Sequence, residues 1–163
     1  MLSEKIEIGE NETAGELYDK MKEAGAELLL KTIKGISEGN ITEAPQLQTS
    51  NLELQTLHHA PKLTTETSII NWNKTTDEVH NLIRGLSPYP TAFTTLENKK
   101  LKIYKAEKMI QVPASSPGNF ETDGKTYLRF ACSNGYINIL ELQLEGKKRM
   151  GVEDFLRGYR FAV

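Results

Sequence analysis

Lys147, Lys148 and Arg149 stand side by side in "EGKKRMGVEDFLRG", between an alternating strand pattern and a short helical one. Three adjacent cations can neutralise phosphates, or they can simply keep a turn in water. A second group, Lys99, Lys100 and Lys102, lies at another turn. Arg129 shares its strand parity with Tyr127, opposite Leu128 and Phe130. Aromatics interleaved with cations on one face are the chemistry a nucleic acid asks for, because phosphates need charge and bases need flat surfaces. Spacing alone leaves a phosphate-positioning patch and a solvated face both open.

Other chemistry finds less support. The histidines are His58, His59 and His80. No cysteine or carboxylate stands at zinc-like spacing around His80, so a surface or capping role is expected there and no metal is assigned. Several carboxylates (Glu16, Asp77, Glu78, Glu153, Asp154) fall at expected helix starts, where they complement the dipole, and no catalytic pair is suggested. No phosphate loop and no nucleophile motif is present. Cys132, in "LRFAC", reads as a small buried hydrophobe. A single cysteine excludes an internal disulfide framework and fits a reducing cytoplasm. No apolar run approaches the roughly 20 residues that span a bilayer, so no membrane partner is expected.

Charge divides the chain unevenly. Residues 1–60 carry 5 Lys/Arg against 11 Asp/Glu, whereas residues 61–163 carry 15 against 11. The second part alone is therefore compatible with a polyanion.

The pattern of elements follows the same division. "LSEKIEI" alternates like a strand. In residues 13–36, Thr13 and Glu16 have capping-box spacing, Leu17, Met21, Ala24 and Leu28 recur at helical spacing, and Gly25 is expected to split the segment into a helical hairpin that Gly39 stops. Residues 41–60 are polar, with Pro45 and scattered Gln, Ser and Thr, and read as a linker. Thr75 and Glu78 again suggest a capping box, with Val79, Leu82, Ile83 and Leu86 on one helix face, and "SPYP" ends that helix. Beyond it the chain reads as mostly β. Asp123-Gly124 and Asn134-Gly135 suggest two type I′ hairpins. Ile137 and Ile139 share a face, after which Leu140, Leu142 and Leu144 take the other, which requires a bulge or bend in that strand. Five short strands with a bent member suggest a small OB-like barrel, and an open sandwich is the alternative.

"HAPKLT" at 59–64, "INW" at 70–72, "HNLIRGLSPYPTAFTTL" at 80–96 and "ELQLEGKKRMGVEDFLRG" at 141–158 together resemble the methionyl-tRNA formyltransferases. "TAGELYDKMKEAGAELLLKTI" at 13–33 resembles the end of that family's catalytic domain. The resemblance implies an enzyme that formylates the amine of methionyl initiator tRNA with 10-formyltetrahydrofolate as co-substrate. It implies a Rossmann-like domain holding the folate and an Asn, His and Asp trio, followed by an OB-like domain that helps hold the tRNA. All three catalytic positions would precede Met1, so no catalytic and no cofactor-binding residue is assigned in this chain.

The fold expected is therefore α+β and mainly β. Residues 1–40 would be the C-terminal remnant of the catalytic domain, a strand and helical hairpin. Residues 41–60 would be the linker, and residues 61–163 the five-stranded OB-like tRNA-binding domain. Candidate tRNA contacts are Lys62, Arg84, Lys100, Lys102, Arg129, Lys147, Lys148 and Arg149. The partners implied are initiator methionyl-tRNA and the N-terminal catalytic domain, and uncovered apolar helices would permit self-association. Where the family usually reads "IDW" this chain has Asn71 before Trp72, which removes a charge. The competing readings are a non-catalytic protein-interaction module and the C-terminal part of a related sugar-nucleotide formyltransferase.

Overall fold

A computed structural model describes residues 2–41 and 60–161. The expected linker, with His58 and His59, lies almost wholly outside the described residues. The chain divides into two compact units, one drawn from Met1–Glu10 and Glu16–Lys62, the other from Asn11–Gly15 and Leu63–Val163.

Helix α1 (Ala14–Ser37) begins directly after Thr13 and runs unbroken for 24 residues. This corrects the expected helical hairpin. A glycine within a helix costs only about 1 kcal/mol relative to alanine, and the good helix formers around Gly25 absorb that. The stop at Gly39 is as expected. Its φ of 69° lets the Asn40 N–H reach the Gly35 carbonyl at 2.9 Å and the Gly39 N–H reach Ile36 at 3.2 Å, a Schellman end. "LSEKIEI" is not a strand. Alternation supplies a face, but a strand exists only where its N–H and C=O groups meet a neighbour, and no described strand pairs with it.

In the second unit a short 3-10 turn (Glu66–Ser68) leads to helix α2 (Thr76–Gly85). The capping box is present in full: the Glu78 N–H donates to the Thr75 hydroxyl at 3.3 Å and the Thr75 N–H donates to the Glu78 carboxylate at 3.1 Å. Val79, Ile83 and Leu86 are buried as their spacing requires, each worth about 1.5–3 kcal/mol of apolar burial. His80 departs from expectation. It is only 4% exposed, and burial, with Lys108 beside it, lowers its pKa.

Six strands follow: β1 (Ala92–Leu96), β2 (Lys99–Met109), β3 (Phe120–Thr122), β4 (Leu128–Ala131), β5 (Tyr136–Leu144) and β6 (Met150–Gly151). They form one antiparallel sheet in the order β1-β2-β5-β4-β3, with β6 pairing β5, and helix α3 (Val152–Gly158) closes the unit. The sequence reading of five strands missed β6, a two-residue strand too short to show alternation. The architecture is α+β, with a curled antiparallel half-barrel sheet.

The bend in β5 has a clear cause. Ile103 pairs with Leu142, Lys105 with Glu141 and Ala106 with Ile139, so β2 carries one extra residue at Tyr104 and β5 one at Leu140. Ile137, Ile139, Leu142 and Leu144 consequently all enter the core despite their change of parity. Neither glycine pair makes a two-residue hairpin. The Asp123 carboxylate accepts from the N–H groups of Lys125, Thr126 and Tyr127 at 2.8–3.2 Å, and so builds a longer loop. Residues 132–135 close through the Cys132 N–H to the Gly135 carbonyl at 2.7 Å, while Asn134 accepts from the Thr76 N–H. The two-residue turn with both φ positive lies instead at Glu97 and Asn98, between β1 and β2.

Trp72 stacks flat on Phe130, with ring centroids 4.6 Å apart, and its indole donates to the Thr94 hydroxyl at 2.9 Å. Cys132 is buried, as expected. No helix among the described residues is long and apolar enough to cross a membrane.

Candidate nucleic-acid interface

Alternation on β2 buries Leu101 and Ile103 completely and turns Lys100, Lys102 and Tyr104 outward. Register sets their neighbours. Phe93 of β1 and Gln143 of β5 flank Lys102. The Lys100 ammonium lies 3.7 Å over the Phe93 ring, a cation–π contact.

The basic tract meets this surface because β5 ends beside the start of β2. The Glu145 N–H donates to the Lys100 carbonyl at 2.8 Å, and the Lys100 N–H donates to the Glu145 carboxylate at 3.0 Å. The chain then turns: the Lys147 N–H donates to Leu144 O at 2.9 Å, and Gly146 supplies the φ of 77° that the third residue of a type II turn requires. Lys147 and Lys148 are left exposed. Lys100, Lys102, Gln143, Leu144 and Glu145 line a shallow groove of about 200 Å³. The pair Lys100 and Lys102 and the pair Lys147 and Lys148, distant in sequence, are thus brought to either side of the Lys100–Glu145 contact.

Three polar contacts hold the turn. The Tyr104 hydroxyl donates to Gln143 Oε1 at 2.9 Å, and Gln143 Nε2 donates to the Lys147 carbonyl at 2.9 Å. Arg149 pairs with Glu141 through two parallel bonds, Nε to Oε1 at 2.7 Å and Nη2 to Oε2 at 2.6 Å, which raise its pKa. Its guanidinium also lies 4.2 Å over the Tyr104 ring.

The eight candidate cations therefore separate. Lys100 and Lys102 lie on the outer side of β2, Lys147 and Lys148 are exposed after the turn beyond β5, and Arg149 follows with Nε and Nη2 engaged by Glu141. Arg129 lies on β4, bonded to Glu121 and stacked between Tyr127 and Tyr136. Arg84, on α2, donates to Asn81 and to the Glu12 carbonyl. Lys62 is exposed in the first unit. Asn71 is exposed and accepts from the Asn73 N–H at 3.1 Å, a turn that needs an acceptor but no charge.

Phe93, Tyr104 and Gln143 escaped the sequence reading. Tyr104 could have been found from its parity with Lys100 and Lys102, whereas Phe93 and Gln143 depend on strand register. No cluster of three or more metal-ligating side chains is present among the described residues.

Residues 62–160 match the model of the formyl transferase C-terminal domain. A relative from Phocaeicola vulgatus named methionyl-tRNA formyltransferase is 41% identical over 161 residues, covering 96% of this chain and 49% of the relative. One of the same name from Azobacteroides pseudotrichonymphae is 43% identical over 166 residues, covering 98% and 51%. The chain spans about half the length of the curated relatives it matches. Among solved structures, a variant of HypX from Aquifex aeolicus aligns over 96% of this chain and 28% of its own, at TM-score 0.65 and 15% identity. The sugar 3N-formyl transferase WlaRD aligns over 86% and 47%, at TM-score 0.50 and 22% identity. Similarity this low speaks to the fold alone. Matched over 62–160 by the domain model and along nearly its whole length by these relatives, the chain belongs to the formyl transferase C-terminal domain family.

Proposed function

We propose that this chain serves as the C-terminal part of a methionyl-tRNA formyltransferase and positions the tRNA. In this reading residues 61–163 form an OB-like tRNA-holding domain, residues 1–40 complete the catalytic domain, and residues 41–60 join them. The formyl donor is 10-formyltetrahydrofolate, bound with the catalytic trio by residues outside this chain. His80, the one described histidine, is buried on α2 and so is poorly placed for proton transfer at a tRNA terminus. The observation that supports the reading is the backbone contact of Lys100 with Glu145, in a chain 41–43% identical to relatives so named. That contact brings the turn leading to exposed Lys147 and Lys148 beside the stretch that holds Lys100 and Lys102, and in this reading the four lysines act as one strip. The reactive amine sits at one end of a large polyanion, and phosphate contacts spread over a sheet can hold that polyanion without reading its bases.

Titration of the chain with initiator tRNA at several salt concentrations tests this. Each phosphate contact contributes roughly 0.7–0.9 to the slope of log affinity against log salt. Lys147→Ala with Lys148→Ala is expected to weaken binding and to lower the slope by about one to two. An unchanged slope would overturn the assignment. The chain alone is expected to transfer no formyl group, and folate-dependent formylation by it would refute the absence of catalytic residues.

A second reading has its own support. Tyr18, Met21, Leu29, Leu30, Ile33 and Ile36 are exposed along α1, which suits docking against the catalytic domain or self-association.

A further inference from the structure

We infer that Tyr104 is a positioning residue for tRNA binding, acting through the turn that carries Lys147 and Lys148. The inference rests on reading the lysine strip as a tRNA surface, and it assigns a role to a residue that need touch no nucleic acid. Tyr104 is the extra residue of the β2 bulge, and the bulge turns both Tyr104 and Lys105 away from the core between buried Ile103 and Ala106. That placement gives the side chain two jobs. Its hydroxyl fixes the Gln143 amide, which in turn holds the Lys147 carbonyl. Its ring supports the Arg149 guanidinium, which Glu141 holds from the side. One aromatic residue thereby holds the turn at Lys147 and again at Arg149, with Lys148 between them.

A lysine tethered on an ordered turn loses less freedom on meeting a phosphate than one on a loose loop. Tyr104 therefore contributes to affinity by restricting the free turn, not by charge. The inference separates Arg149 from its lysine neighbours: Nε and Nη2 of its guanidinium are held by Glu141, so it acts first as a strut beside the strip.

The test is a double-mutant cycle on the full chain, with initiator tRNA as the probe and thermal melting as the control on folding. Tyr104→Ala is expected to weaken tRNA binding about three- to tenfold. Placed on the Lys147→Ala, Lys148→Ala background, the same change is expected to shift affinity by less than about twofold, because the groups it positions are gone. Tyr104→Phe, which keeps the ring and loses the hydroxyl, should fall between parent and Tyr104→Ala, and it carries the cycle if the alanine variant melts early. Parent-like affinity in both Tyr104 variants, or an equal loss with and without the lysines, overturns the positioning role while the tRNA surface stands. If the lysine pair itself can be removed without effect, the tRNA surface and the positioning role fall together.

Discussion

Glu121 and Arg129 face each other across β3 and β4, with Arg129 Nε and Nη2 at 3.0 and 2.7 Å from one carboxylate oxygen. The other oxygen accepts from the Tyr136 hydroxyl at 2.8 Å and from Ser115 at 3.1 Å. Arg129 is thus part of a half-buried network that ties three segments of the sheet.

Arg129→Ala is expected to lower the melting temperature and to leave initiator tRNA affinity within about twofold, since a committed guanidinium releases few counterions. The Tyr136 hydroxyl, and after it Arg129, holds the Glu121 carboxyl below its ordinary range. A depressed folded pKa stabilises above the unfolded value and is lost as pH falls through the folded one. Removing Arg129 should therefore move the acid-unfolding midpoint upward. A loss of tRNA affinity as large as that of the lysine pair would place Arg129 on the interface after all.

Trp72 joins the segment before α2 to β1 and β4. Trp72→Ala should cost about 3–5 kcal/mol in denaturant unfolding, from lost burial and the cavity left against Phe130. Thr94→Val, which deletes only the acceptor of the indole N–H, should cost about 1 kcal/mol.

Thr75→Ala removes the hydroxyl that receives the Glu78 N–H and should destabilise the protein by about 1 kcal/mol without altering tRNA binding. Restoration of most of that loss by Thr75→Ser would identify the cap as the cause.

His80 gives a pH signature near neutrality. Burial, followed by Lys108, lowers its pKa, while a backbone hydrogen bond to Ala106 and nearby Asp77 oppose the shift. The unfolded chain therefore binds the proton first. The contribution is complete above the ordinary histidine value of about 6.5 and is lost as pH falls below it. Unfolding free energy measured between pH 7.5 and 5 should decline, and His80→Gln should flatten that decline.

Burial pushes the Cys132 thiol up to about 12. At pH 8 a disulfide reagent is expected to label the native protein far more slowly than the denatured protein, because only thiolate reacts. Prompt native labelling would contradict the packing described for the end of β4.

Much of this was legible without coordinates, wherever the signal is local. The capping box at Thr75 and Glu78, the α2 face of Val79 and Ile83, the stop at Gly39 and the phase change in β5 depend on neighbours a few residues apart, and the chain carries those neighbours with it. The break expected at Gly25 failed because helix propensity is a sum over a long segment, and one glycine does not outweigh its surroundings. "LSEKIEI" failed for the opposite reason: alternation is local, but a strand's hydrogen bonds are not.

The candidate interface divides along the same line. Residue type and adjacency marked Lys100, Lys102, Lys147 and Lys148 as cations, and parity alone put Lys100 and Lys102 on one face. Only the pairing of β2 with β5 set Lys100 against Glu145 and so brought the two groups to the same end of the sheet. The fold likewise withdrew Arg129 into a pair with Glu121 and Arg149 into one with Glu141, since a charge is available only after its cross-strand neighbour is known. Sequence determined which groups this protein has to offer; long-range register decided which of them are paired with a carboxylate across the sheet.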